Sequence, residues 1–189
     1  MRIKKIYFSF ITIGIIFIFL SIVLLAYNIW MDSKADYEAN KVKLQLEEEI
    51  DLKNGEIEDE EINTIEINGK YYIGIIKFPS LNTQLPVMKE WDDKLSKITP
   101  CRYKGSVKEN SLIIAGHDYK SQFGKLFSLS IGDQVLFKDT GGMNYIYTIS
   151  KTETIDEYDL EKIDEGEWDL TLFTCTIDGK KRLVYRCKL

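Results

Sequence analysis

Residues 6–30, IYFSFITIGIIFIFLSIVLLAYNIW, contain no charged side chain, and this run divides the chain before any other feature does. As a helix rising ~1.5 Å per residue it reaches ~37 Å, more than the ~30 Å hydrocarbon core of a bilayer. Tyr7, Tyr27 and Trp30 stand near its ends, where amphipathic rings favour the membrane interface. A basic tail, residues 1–5 with Arg2, Lys4 and Lys5, precedes it. The positive-inside bias keeps such a tail in the cytoplasm and places the rest of the chain outside. A cleaved secretory signal is the competing reading, but its apolar region usually covers only about 7–15 residues. No clean small-x-small cleavage site comes after Leu25. Either reading exports the remainder. The length fits an uncleaved, single-pass anchor in the cell membrane.

Beyond the anchor, residues 31–67 are strongly acidic, as in LEEEIDLKNGEIEDEEI. Ala39, Val42, Leu46 and Ile50 fall at i, i+3, i+7 and i+11, a narrow apolar stripe on one helix face. The stripe could pack on the next domain or on a partner. Charge runs of this kind are usually solvated, so the expectation is an exposed helical stalk ending near Asn54-Gly55.

From residue 68 to 189 the pattern turns to β. KYYIGIIKFP, TQLPVM, SLIIAGH, QVLFKD, MNYIYTISKTETI, DLTLFTCTI and KRLVYRCKL read as strands, with Pro86 marking TQLPVM as an edge or bulged one. EWDDKLSKI reads as one short helix and FGKLFSL as a helical turn. Short strands at close spacing with one or two small helices predict an all-β fold, a closed or nearly closed barrel. The net charge of −5 leaves no basic footprint for nucleic acid. Three cysteines, Cys101, Cys175 and Cys187, without a CxxC pair, make neither a disulfide framework nor a four-ligand zinc site. No cofactor is expected. The single histidine is His117.

The closing TLFTCTIDGKKRLVYRCKL, residues 171–189, offers two cysteines and two arginines. Asp178-Gly179 between two β runs predicts a hairpin with a two-residue type I′ turn, in which both turn residues take φ > 0. That register opposes Cys175 to Arg182, Thr171 to Arg186 and Leu170 to Cys187. Directly opposed residues share a face with Cβ atoms ~4.5–5.5 Å apart, so Arg182 brings a permanent positive charge beside the Cys175 sulfur. Such a charge favours the thiolate, the nucleophilic form. Arg186 lies ~13 Å along the strand, out of reach. Cys187 faces the side of Leu172, Leu183 and Tyr185, where it reads as a small buried hydrophobe. A one-residue bulge would reverse these faces. Spacing alone does not bring His117 to Cys175.

TLFTC with Arg182 after it resembles the TLxTC…R signature of sortases, and CRYKGSVKENSLIIAGHDYKSQFGKLFSLSIGDQVLF resembles the sortase stretch with its histidine in an "aGH" context. The resemblance runs from about Tyr71 to Leu189. It implies an eight-stranded sortase β-barrel bearing a cysteine transpeptidase site. Cys175 would attack the threonine carbonyl of a Leu-Pro-x-Thr-Gly-like sorting motif. His117 would act as general acid and base, and Arg182 would stabilise the oxyanion. The implied partners are secreted proteins with a C-terminal sorting motif, and an amine of a peptidoglycan precursor or cross-bridge in a Gram-positive wall. Thr174 matches the residue before the nucleophile. Without an Asp-Pro-aromatic lid, and with Leu189 ending the last strand, the pattern leans to class A-like or D-like sortases. The acidic loop Asp156, Glu157, Asp159, Glu161, Asp164, Glu165 and Glu167 reads as solvated, with calcium as the alternative. Cys101 reads as a structural thiol, the alternative being an inhibitory disulfide with Cys175. Two other functions share the barrel: a cysteine hydrolase using water, and a non-catalytic binding module.

Overall fold

A computed structural model describes residues 2–53, 63–92 and 94–189. Helix α1 covers Arg2–Lys53. Nine strands come after it among the described residues: β1 Ile65–Ile67, β2 Lys70–Phe78, β3 Thr83–Met88, β4 Cys101–Lys104, β5 Leu112–Ala115, β6 Gln134–Asp139, β7 Asn144–Asp156, β8 Leu170–Cys175 and β9 Lys181–Lys188. Short 3₁₀ helices cover Pro79–Leu81, Phe123–Ser128 and Leu160–Asp164. The predicted helical turn at FGKLFSL is the second of these. The predicted helix at EWDDKLSKI is a turn, with the Ser96 N–H donating to the Asp92 carbonyl at 2.8 Å.

The chain separates into two compact units, Met1–Lys34 and Ala35–Leu189. In the first, the helix carries exposed apolar side chains at Tyr7 and from Phe10 to Trp30, and none is buried in its most apolar window. A helix apolar on every side is long and greasy enough to cross a bilayer.

In the second unit the strands run in the order β1-β2-β3-β4-β5-β8-β9-β7-β6, and β2 pairs again with β6. That last pairing closes β2 through β9 into an eight-stranded barrel, as expected, and leaves β1 as an added strand on β2. β1 starts at Ile65, ahead of the predicted boundary. Closure removes the exposed sheet edges that invite association. Pro86 sits in β3, which pairs along its length with β2 but touches β4 only at Met88 and Cys101, so its missing N–H breaks no ladder bond.

Alternation sends one set of side chains inward. Ile73, Ile76, Phe78, Val87, Leu112, Ile114, Phe137, Tyr147, Leu170, Leu172, Tyr185 and Cys187 fill the barrel with Phe123 and Leu126 of the second 3₁₀ helix. The opposite set faces out, and two patches of it are covered.

The first cover corrects the expectation of a solvated stalk. Ala39, Val42, Leu46 and Ile50, the four stripe residues, are buried, the last three against Ile65, Ile67, Tyr72, Ile75, Met88 and Cys101 on the outer face of β1–β4. Asp51 adds an ion pair to Lys138 at 2.8 Å. Acidic side chains dominate the composition but occupy the other faces of the helix, so the narrow stripe decided the outcome. Burying one Leu or Ile side chain contributes roughly 1.5–3 kcal/mol. Leu46→Ala is therefore expected to cost about 2–5 kcal/mol in thermal unfolding of the full-length chain in detergent. Leu44→Ala, on the exposed face, should stay within about 0.5 kcal/mol. Equal, negligible effects at both would mean the helix does not dock.

Candidate active site

The site is built where β5, β8 and β9 lie side by side. β8 and β9 pair antiparallel with Leu170 against Cys187, Thr171 against Arg186 and Cys175 against Arg182, the register predicted from sequence. The turn itself differs. The Gly179 N–H donates to the Thr176 carbonyl at 2.7 Å and the Thr176 N–H to the Lys181 carbonyl at 2.9 Å. Only Gly179 of the Asp-Gly pair takes positive φ, 72°. The loop therefore spans Ile177–Lys180 rather than two residues. The Asp178 carboxylate accepts from the Thr176 hydroxyl at 2.6 Å and from the Lys180 N–H at 3.2 Å, which favours this wider turn. Widening the loop by one residue on each side leaves the cross-strand pairs unchanged, so the register survives the wrong turn type.

β5 and β8 pair in parallel, Leu112 with Leu170 through Ala115 with Phe173. The Gly116 N–H prolongs the ladder by donating to the Phe173 carbonyl at 3.1 Å. β5 ends at Ala115, so His117 lies just past the last ladder bond, and two more places of the same register would run to His117 and Cys175. Gly116 is required by a close approach. A Cβ there would lie 2.7 Å from the Phe123 ring, which packs over the backbone.

The His117 ring stacks on Tyr119, with centroids 4.9 Å apart at 16°, and meets Trp91 at 5.6 Å. Its Nε2 lies 3.3 Å from the Ser96 hydroxyl, and its backbone N–H donates to Gln122 Oε1 at 3.2 Å. Trp91, Ser96, Tyr119 and Gln122 were not singled out from sequence. Their only sequence signal was proximity to AGH for the last two, and none for the first two.

The Cys175 side is partly open to solvent, whereas Cys101 and Cys187 are buried. All three thiols are free. Burial pushes the Cys101 and Cys187 thiols up to about 12. Cys101 belongs to the cluster beneath α1, with Met88 Sδ at 3.9 Å, and Cys187 to the barrel interior, both structural placements. Arg182 is turned toward the hairpin: its guanidinium donates to the Gly179 and Lys181 carbonyls at 3.3 and 3.1 Å and lies 3.9 Å from the Glu157 carboxylate. The Thr174 hydroxyl is buried and has no hydrogen-bond partner among the described residues.

The outward face of these strands carries the second covered patch, Ile113, Ala115, Phe173 and Val184 under Ile155 and Ile163. Arg186 fastens that cover. Only 2% exposed, it donates to Glu153 at 2.7 Å, to Thr171 Oγ1 at 3.2 Å and to the Ile163 and Lys162 carbonyls. Thus Arg182 and Arg186 share a strand face but not a task. In the acidic loop, Asp164 pairs with Lys104, Asp159 with Lys162 and Glu157 with Arg182. No cluster of three metal-ligating side chains occurs among the described residues.

The Sortase domain family model matches residues 76–189. The chain belongs to the sortase family. This sortase is 27% identical over 165 residues to sortase A of Bacillus anthracis, covering 83% of this chain and 76% of that protein. It is 29% identical over 109 residues to sortase A of Listeria monocytogenes, covering 54% of this chain and 49% of that one. Among solved structures, the sortase D5 transpeptidase of Clostridium perfringens shares the fold with a TM-score of 0.58 at 20% identity, covering 84% and 98% of the two chains. Sortase A of Corynebacterium diphtheriae does so at 0.57 and 16% identity, covering 85% and 90%.

Two measurements test these placements in the sortase. In the native protein at pH 8, iodoacetamide should alkylate Cys175 alone, and all three cysteines only after denaturation, as read by peptide mass. Arg186→Ala should lower stability by about 3 kcal/mol, because it removes the donor shared by Glu153, the Thr171 hydroxyl and two carbonyls, while Arg182→Ala leaves melting unchanged. Burial opposes the charge on Glu153, but hydrogen bonds from Lys151 and Arg186 outweigh it and hold the carboxyl below its usual range. That contribution is complete above the unfolded glutamate value of about 4.3 and is lost as pH falls through the lower folded value. Arg186→Ala should therefore flatten this part of the acid unfolding profile.

Proposed function

We propose that this sortase is a membrane-anchored cysteine transpeptidase that works through Cys175, His117 and Arg182. The observation that supports the reading is the strand order β5-β8-β9: Cys175 pairs with Arg182 across β8 and β9, and the β5–β8 ladder runs to Ala115 and Phe173, two residues short of His117 and Cys175. In the reaction, Cys175 Sγ attacks the threonine carbonyl carbon of a Leu-Pro-x-Thr-Gly-like motif. The oxyanion so formed takes hydrogen bonds from Arg182, whose guanidinium exchanges its turn carbonyls for the substrate. The C–N bond to glycine breaks and the leaving amine takes a proton from His117. The thioester then accepts an incoming amine, His117 removes that amine's proton, and the thiolate departs with the new amide formed.

The substrates under this reading are secreted proteins with a C-terminal sorting motif, and the acceptor is an amine of the peptidoglycan precursor or cross-bridge. Residues 6–30 anchor the enzyme with its N-terminus in the cytoplasm and the barrel outside. The exposed apolar helix and the basic residues before it support that orientation.

The test is a panel of sorting-motif peptides incubated with the full-length chain in detergent and read by mass. A thioacyl adduct on Cys175 and transfer to added hydroxylamine are expected. Cys175→Ala and His117→Ala should abolish both, and Arg182→Ala should lower kcat about 10²–10³-fold. Hydrolysis undiminished by a good amine acceptor would point to a hydrolase instead, and absence of any adduct to a binding module.

A further inference from the structure

Ser96 is 0% exposed, in the polar turn sequence WDDKLSKIT. A buried hydroxyl is costly without a partner, and the partner here is His117 Nε2 at 3.3 Å. The same residue is tied to His117 by a second route. Its carbonyl accepts from Gln122 Nε2 at 2.9 Å, and Gln122 Oε1 accepts from the His117 backbone N–H at 3.2 Å. Gln122 is fully buried as well. Ser96 is held in turn by its N–H bond to the Asp92 carbonyl, and the Asp92 carboxylate accepts from the Lys94 and Leu95 N–H groups at 2.9 Å each. The result is a closed circuit, Ser96–Gln122–His117, that grips the histidine at both ring and backbone.

We propose that Ser96 is a positioning residue that sets the orientation of the His117 ring during transfer, an inference that rests on His117 being the general acid–base. The stacked Tyr119 and the flanking Trp91 limit tilting of the ring out of its plane. Rotation within the plane answers to directional contacts, and the Ser96 hydroxyl is one of them. A hydroxyl suits a ring that changes charge. It accepts from the Nε2–H of an imidazolium; in the neutral ring it goes on accepting when Nε2 keeps its proton and donates to the Nε2 lone pair when Nδ1 keeps it, so the contact survives proton transfer at either nitrogen. A carboxylate or an ammonium would favour one state over the other.

Ser96→Ala isolates this contact, because it removes Oγ and keeps the backbone bonds to Gln122 and Asp92. With a peptide from the motif panel as donor and hydroxylamine as acceptor, the full-length variant in detergent should lose about 10–100-fold in kcat at unchanged KM. Its rate of Cys175 alkylation should equal that of the unaltered protein. His117 is the chain's only histidine, so its ring nitrogens are unambiguous in long-range ¹H–¹⁵N spectra, and the Nε2 resonance should move in Ser96→Ala. An unchanged kcat, or a reduced kcat with the ring resonances unmoved, overturns the proposal. If Ser96→Ala does not fold, Ser96→Cys takes its place with an intermediate loss expected, and an unimpaired rate in it counts against the proposal equally. His117→Ala separates the two levels. Transfer persisting there removes the acid–base reading and the positioning role with it. A dead His117→Ala beside an unimpaired Ser96→Ala removes the positioning role alone.

Discussion

The parallel pairing of β5 with β8 is the constraint on which the rest of the molecule turns. Parallel neighbours cannot be joined by a tight turn, so the chain must leave the end of β5, build a 3₁₀ helix, β6, β7 and another 3₁₀ helix, and return. Those intervening strands are the ones that close the barrel, β6 onto β2 and β7 onto β9. The pairing also fixes which residues share a rim. Strand ends pointing the same way deliver the residue after Gly116 and the last residue of β8 to one rim, and the β8–β9 hairpin adds Arg182 there.

A barrel of this size fills its interior with one face of each strand and leaves the other face to be covered or wetted. Two covers are present, and they differ in kind. On β1–β4 the cover is helical and apolar, held by Leu46 and Ile50. On β5, β8 and β9 it is a loop with a short 3₁₀ helix, held by Ile163 and by the buried Arg186. The second kind depends on one side chain satisfying two carbonyls at once. It lies beside the rim that carries Cys175 and reaches it through Glu157 and Arg182. The geometry of the rim thus depends on how that loop is fastened as well as on the strands.

Much of the fold and site was legible in the chain. The hairpin register came from two β runs and a turn signal, and it survived a change of turn type because the loop widened evenly. The all-β class came from strand spacing, and the sortase pattern from TLFTC, Arg182 and AGH. Other features were hidden for physical reasons. The docking of residues 39–50 was masked by acidic side chains on the other faces of the same helix. The anchoring role of Arg186 was hidden, since burial of an arginine depends on carbonyls supplied by a distant 3₁₀ helix. The need for a glycine at 116 was hidden too, because it is the Phe123 ring that excludes a side chain there.

The sequence by itself determined the local relations: an apolar span, alternating strands, and Cys175 opposed to Arg182 across a short hairpin, all set by periods and turns within a few residues. Tertiary structure alone decided which distant pieces meet. It set β5 beside β8 in a parallel ladder, gave the His117 ring to Ser96 and its backbone to Gln122, and folded the acidic helix onto the barrel. Such choices depend on closing the barrel and burying particular faces together, a condition on the whole chain that no short stretch of it encodes.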